Sequence, residues 1–239
     1  MSNQQLTLNV QIRDGYRFAS YYVDEAGENH ELDNHELIGA LKLFTQSTEA
    51  QQNILWGESK SGKSHLLQAC CAEVANDKYP VSYIPLKKLK TYGTQILSGI
   101  TSHSNFIAID DVDEIVGDKE WETALFNLIN STRQRGQRLI MSSQENPRHL
   151  KCVLPDLASR LIWGGSYQVH ALSDEDKPKA LQARAEQRGF ELSDRVLEYL
   201  FRRYPRDIES LMDILNTLDE QSLIQKTVIT VPFIKQVLD

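Results

Sequence analysis

The sequence predicts an α/β fold: a mainly parallel sheet flanked by helices and carrying a phosphate loop, followed by a small all-helical domain. Three observations predict it. The octet Gly57-Glu58-Ser59-Lys60-Ser61-Gly62-Lys63-Ser64 fits the pattern G-x-x-x-x-G-K-[ST], between the apolar run Ile54-Leu55-Trp56 and the helix-forming His65-Leu66-Leu67-Gln68-Ala69. Short apolar runs alternate with helical patterns as far as Ser143, which is the order of a parallel sheet. From Ser173 onward the spacing is helical only. The expected organisation is an extended peptide over 1–12, a nucleotide-binding domain over 13–172 and a helical domain over 173–239.

At the N-terminus Leu6, Leu8, Val10 and Ile12 alternate with polar residues, so the segment reads as extended. It is either an edge strand or a terminal peptide that adds its backbone to a partner and places alternate side chains in pockets. Phe18-Ala19-Ser20-Tyr21-Tyr22 follows. Aromatic residues in such a lead-in often pack on a nucleotide base; Phe18 is the candidate here, and Tyr21 and Tyr22 are expected in the core. Glu36 to Phe44 has helical spacing.

In the phosphate loop, Gly57 and Gly62 let the backbone curl until successive N–H groups point inward at phosphate oxygens. The helix that opens there adds its positive end. Ser59, Lys60, Ser61, Gly62, Lys63, Ser64 and His65 are the expected contacts, with the Lys63 charge on the β and γ phosphates and the Ser64 hydroxyl on Mg²⁺. The alternative is a Gly/Ser turn before an amphipathic helix. Context favours the nucleotide, because a strand precedes the loop and a helix follows it.

Pro80 to Leu86 reads as a second strand, and a lysine-rich, partly helical segment leads on to Phe106-Ile107-Ala108-Ile109. That run is a strand buried on both faces and tipped by Asp110 and Asp111 at its carboxyl edge. Asp110 is expected to hold Mg²⁺ through water, and Asp111 to orient or activate the attacking water. The alternative is an acidic turn, since Asp113, Glu114 and Asp118 continue the negative run. A helix bearing Trp121, Leu125, Phe126, Leu128, Ile129 and Thr132 leads to the strand Arg138–Ser143. Ser142 is then placed to sense the γ phosphate or the water, or else to cap a helix before Pro147. Leu154 to Leu161 reads as a short helix with proline in its first turn. It carries Arg160, whose local partner would be Asp156 at i,i+4.

In the last third, one helix stops at Gly189, a second is capped by Ser193-Asp194, a third begins near Arg206 and a fourth carries Phe233, Ile234, Val237 and Leu238. Arg206 at the positive end of a helix is mildly unfavourable. Asp207 and Glu209 are the local compensations, and a bound phosphate is the functional one.

The chain has 239 residues, 41% apolar and 25% charged, with a formal net charge of −7. The acidic balance argues against a dedicated DNA-binding module, whose footprint is basic. No apolar run reaches membrane-spanning length and Met-Ser-Asn-Gln-Gln is no signal peptide, so a cytoplasmic protein is expected. Cys70, Cys71 and Cys152 form no C-x-x-C and read as buried thiols. The six histidines are scattered, which argues against a histidine metal site.

Taken in order, the phosphate loop, the double-Asp strand, the polar sensor strand, Leu154-Pro155-Asp156-Leu157-Ala158-Ser159-Arg160 and Arg206-Asp207-Ile208 resemble the initiator-related branch of P-loop AAA+ ATPases. The likeness covers nearly the whole chain and is strongest to the shorter, DnaA-homologous regulators of that branch. Residues Gln5-Leu6-Thr7-Leu8-Asn9-Val10 resemble the Q-L-x-L-x-L peptide by which bacterial replication proteins dock on the sliding clamp, with Val10 in place of Leu or Phe. Gln5 would supply polar contacts and Leu6, Leu8 and Val10 the apolar ones. The chain also stops after the helical lid, with no helix-turn-helix domain.

The resemblance implies a negative regulator of replication initiation. Carrying ADP or ATP with Mg²⁺, and bound to the sliding clamp (the β subunit of DNA polymerase III), it would stimulate ATP hydrolysis by DnaA and so inactivate the initiator. DNA would be reached only through the clamp. Arg160 would be a finger donated in trans, which implies head-to-tail contacts and a small homo-oligomer such as a dimer. Asp111 stands where many AAA+ enzymes have Glu, so autonomous hydrolysis is expected to be weak or absent. Two alternatives remain open: an autonomous AAA+ ATPase such as a helicase loader, and a nucleotide-gated binding module without catalysis.

Overall fold

Five short strands form one sheet in the order β2-β3-β4-β1-β5, every neighbouring pair parallel. They are β1 (Gln52–Trp56), β2 (Val81–Pro85), β3 (Phe106–Asp110), β4 (Arg138–Ser143) and β5 (Gly165–Gln168). The structure is a computed structural model that describes residues 16–23, 34–75 and 80–238. The expected clamp peptide, Gln5 to Val10, lies outside the described residues.

Strand periodicity divides the core into two layers. Ile107 and Ile109 of β3, Leu139 and Met141 of β4 and Ile54 of β1 pack on Trp121, Leu125 and Ile129 of one helix and on Leu157 and Leu161 of another. The intervening Phe106, Ala108, Ile140 and Leu55 pack on the opposite side against Leu41, Phe44, Leu66, Leu67, Cys70 and Cys71. Successive side chains point to opposite faces, so runs that are apolar throughout belong to a sheet covered on both sides. The first-face helices are α5 (Lys119–Gln134) and α6 (Pro155–Leu161). The second-face helices are α1 (His35–Gln46) and α2 (Lys63–Val74); short helices α3 (Leu86–Leu89) and α4 (Ile100–His103) lie between β2 and β3.

Cys70 and Cys71 are fully buried in α2, and burial pushes the Cys71 thiol up to about 12. Cys152 is only half-buried, because it lies in the loop before α6.

The chain divides into two units between His170 and Ala171. The second contains α7 (Asp176–Gln187), α8 (Asp194–Arg203), α9 (Ile208–Gln225) and α10 (Val231–Leu238). Its separate core gathers Leu181, Val196, Leu200, Leu211, Leu215 and Phe233. Among the described residues no helix is long and apolar enough to cross a membrane.

Candidate nucleotide-binding site and arginine face

The pairing register aligns the carboxyl ends of the three central strands. Trp56 pairs with Ser143, Leu55 with Ser142 and Ile109 with Met141. The phosphate loop after β1, the hydroxyls ending β4 and the carboxylates ending β3 therefore form one edge, with β4 in the middle. In open α/β sheets this edge is where ligands bind.

The loop is a close-fitting cradle. A Cβ on Gly57 would come within 2.3 Å of the Val169 carbonyl. Gly62 has φ +99°, and a Cβ there would come within 2.8 Å of the Tyr21 ring. Ser59 and Lys60 form a turn in which Lys60 adopts φ 65°, and the following Ser61 is buried. Lys63 is only 5% exposed; its ammonium donates to the carbonyls of Gly57 (2.7 Å) and Glu58 (2.6 Å). Burial lowers the Lys63 pKa, and Asp111, Asp110 and Asp113 oppose that shift. The half-buried Ser64 has no hydrogen-bond partner for its hydroxyl among the described residues. Ser143 Oγ is fully buried and likewise unpartnered. An open serine and an orphaned hydroxyl beside a curled backbone fit a ligand rich in oxygen.

The aromatic lead-in packs against the core with Phe18 and Tyr21. Phe18 is 8% exposed and packs in the core with α1 and α2. Tyr21 is the ring that reaches the loop: its hydroxyl donates to the Ser61 carbonyl at 3.4 Å and accepts from Asn34. Tyr16 stacks on His65 with centroids 4.6 Å apart, and His65 Nε2 lies 3.0 Å from the Arg17 carbonyl. Asn34 in turn clamps the His170 backbone through both its amide groups.

Asp110 is 2% exposed and accepts two hydrogen bonds, from Tyr83 Oη at 2.6 Å and from Ser142 Oγ. Ser142 Oγ also accepts from the Asp111 N–H at 2.9 Å. This hydroxyl thus ties β4 to the Asp110 carboxylate and to the Asp111 backbone and caps no helix, since a loop follows β4. Tyr83, on the outer strand β2, was not legible as a site residue.

Asp111 has φ 59° and its carboxylate makes no hydrogen bond among the described residues. Desolvation, then the negative charges of Asp110 and Asp113, push its pKa up to about 6. The folded state therefore binds this proton more readily than the unfolded chain, so the group costs stability as pH rises towards about 6. Asp111→Asn keeps a residue type that tolerates the left-handed backbone and removes the charge. In Mg²⁺-free, nucleotide-free buffer it should raise the melting temperature at pH 7, and the gain should disappear below about pH 4. A gain that grows on acidification would contradict this assignment.

Arg160 does not pair with Asp156. Its Nε–H donates to Asn130 Oδ1 at 3.0 Å, and its guanidinium carbon lies 4.3 Å from the Trp163 ring centroid. Both ends of α6 are fastened. The fully buried Glu122 accepts from the N–H groups of Val153 and Leu154, and Gln52 Nε2 donates to the carbonyls of Arg160 (2.7 Å) and Trp163 (3.0 Å).

In the second unit, Arg206 precedes α9 and does not open it. Asp207 is the cap, accepting from the Ser210 N–H at 3.0 Å. Arg206 Nε donates to the Phe201 carbonyl in the last turn of α8, where a cation is favourable. The helix-end conflict expected from the sequence is thus settled locally.

Residues 37–168, more than half of the chain, match the family model of the bacterial DnaA ATPase domain. The chain belongs to this DnaA ATPase family. Residues 174–238 of this DnaA-family chain match a model described as the Hda lid domain. Domain III of the replication initiation protein DnaA from Thermotoga maritima is similar in structure, with TM-score 0.74, 19% identity, and 95% of this chain and 97% of that one covered. AMPPCP-bound DnaA from Aquifex aeolicus has TM-score 0.65 at 20% identity, covering 90% of this chain and 69% of that one. The Holliday junction branch migration motor RuvB of Thermotoga maritima has TM-score 0.59 at 14% identity, covering 87% and 69%. These likenesses establish an AAA+ fold with a helical lid region.

Proposed function

We propose that this DnaA-family chain is a regulator of replication initiation. Holding ADP and docked on the sliding clamp through Gln5, Leu6, Leu8 and Val10, it stimulates ATP hydrolysis by DnaA and so inactivates the initiator. One observation carries the reading. The Arg160 backbone is fastened through Gln52 to the amino end of β1, whereas the phosphate loop leaves the carboxyl end of the same strand. Five residues at about 3.3 Å each separate the two by about 16 Å, which argues against Arg160 serving its own loop and supports a nucleotide on another subunit as its target. The match to the Hda lid model supports the regulator over a motor.

The nucleotide follows from the cradle, and the AMPPCP bound to the Aquifex aeolicus DnaA supports an adenine nucleotide. Ser64 would hold Mg²⁺ directly and Asp110 through water; the ion would neutralise phosphate charge. Arg206 is proposed to reach the same phosphates from the lid. The experiment is ATP turnover measured for the chain alone, for ATP-loaded DnaA alone, and for both with clamp-loaded DNA. Turnover confined to the complete mixture is expected. Comparable turnover by the chain alone would instead favour an autonomous ATPase, and none anywhere would leave a binding module.

Replacing Gln5, Leu8 and Val10 together with Ala should abolish clamp binding and leave the melting temperature nearly unchanged, because a terminal docking peptide contributes little to a core. A packed edge strand would respond differently, losing roughly 2–5 kcal/mol for a buried Leu→Ala change. Clamp binding by surface plasmon resonance, with a thermal melt of the same variant, distinguishes the two.

A further inference from the structure

Trp163 follows α6 and is 37% exposed, yet two cations hold it. The guanidinium carbon of Arg133, on α5, lies 3.6 Å from the indole centroid, and that of Arg160 lies 4.3 Å from it. Phe126 adds a second ring 5.7 Å from Arg160. Burial of apolar surface does not explain a tryptophan left this open. Two like charges on one ring also repel, so the arrangement is one that surface packing alone would not select.

Its effect is on the Arg160 head group. Nε is engaged by Asn130, the guanidinium carbon sits over the indole ring, and neither terminal nitrogen has a hydrogen bond among the described residues. The open end is the fork that meets two phosphate oxygens at once. Ordering a long side chain normally costs rotamer entropy at each encounter, and a side chain already ordered avoids that cost.

We propose that Trp163 is a positioning residue for Arg160, with Arg133 bracing the indole. It pre-orients the guanidinium for the γ phosphate of an incoming nucleotide-loaded subunit. The inference rests on the reading of Arg160 as a finger in trans, and predicts a turnover effect with no change in docking.

The test measures ATP hydrolysis by DnaA, with clamp-loaded DNA, across a titration of Trp163→Ala, Trp163→Phe, Arg133→Ala, Arg160→Ala and the Trp163→Ala/Arg160→Ala double variant. Loss of the platform should lower saturated turnover by about 10-fold in Trp163→Ala, with the half-saturating concentration unchanged. Trp163→Phe keeps a ring face and should recover most of the rate, while Arg133→Ala should lose about 3-fold. In the Arg160→Ala background Trp163→Ala should add nothing, which a general packing role would not produce.

Unchanged turnover in Trp163→Ala, or a loss confined to the half-saturating concentration, would overturn the inference. A further loss in the double variant would do the same. Should Trp163→Ala fail a melting control, Trp163→Phe and Arg133→Ala still decide: no loss in Arg133→Ala overturns the bracing. Full stimulation by Arg160→Ala would remove the trans-finger reading itself. Loss in Arg160→Ala with none in Trp163→Ala would remove only the role of Trp163.

Discussion

Replacing Arg160 with Ala should cut the stimulated hydrolysis of ATP on DnaA by about 10³- to 10⁵-fold, the range over which arginine fingers act. The effect is this large because a finger spreads positive charge over the transferring phosphoryl group in a site that excludes water. The local alternative is an exposed helix pair, worth at most about 1 kcal/mol and without catalytic consequence. That pair is not formed: Asn130 and Trp163 hold the side chain. Nucleotide content and clamp binding of the variant should match the parent, because Gln52 grips the Arg160 backbone carbonyl and not its side chain. Arg160→Lys should not restore the rate. An ammonium has no Nε–H for Asn130 and no planar face for the indole, and as a point charge it cannot form the bidentate fork. Full stimulation by Arg160→Ala, with clamp-loaded DNA present, would remove the main support for a regulator acting in trans.

What the sequence revealed was what local chemistry dictates. The phosphate loop is contiguous, and its glycines are required by backbone approach within a few residues. β3 and β4 were legible because a strand covered on both sides carries an uninterrupted apolar run, Phe106 to Ile109 in one and Leu139 to Met141 in the other, and every residue of both strands is buried. The groups that orient the site were less legible, because their partners are distant in sequence. Tyr83 meets Asp110 only because β2 pairs with β3 in the register Ile84 to Ile109. Asn34 reaches His170 across 136 positions, and Asn130 reaches Arg160 across 30. No single-sequence spacing rule covers such distances. One signal was readable and missed. Glu122 falls at i, i+3 and i+7 with Leu125 and Ile129, on the buried stripe of α5, and an acid there must find internal donors. Its donors are the N–H groups of Gly117, Val153 and Leu154, which seat the helix carrying Arg160.

Lys63→Ala should abolish retention of nucleotide during purification and weaken ADP binding by about 30- to 4,000-fold. That range corresponds to the roughly 2–5 kcal/mol lost when one member of a buried, hydrogen-bonded charge pair is truncated. The position explains the size. The Lys63 ammonium lies inside the cradle, on the carbonyls of Gly57 and Glu58, with Asp110, Asp111 and Asp113 near enough to act on its charge. Removing the cation leaves those carboxylates facing the phosphates uncompensated, so the variant loses an attraction and keeps a repulsion. Folding should be affected far less. Two carbonyls lose a donor, each at about 1–3 kcal/mol if water cannot replace it, but the cost of burying a charge disappears with the lysine. Mass spectrometry of the nucleotide released from purified protein, with a fluorescent-ADP titration and a thermal melt, checks both parts. ADP affinity equal to the parent's in a folded Lys63→Ala protein would sink the assignment of the loop.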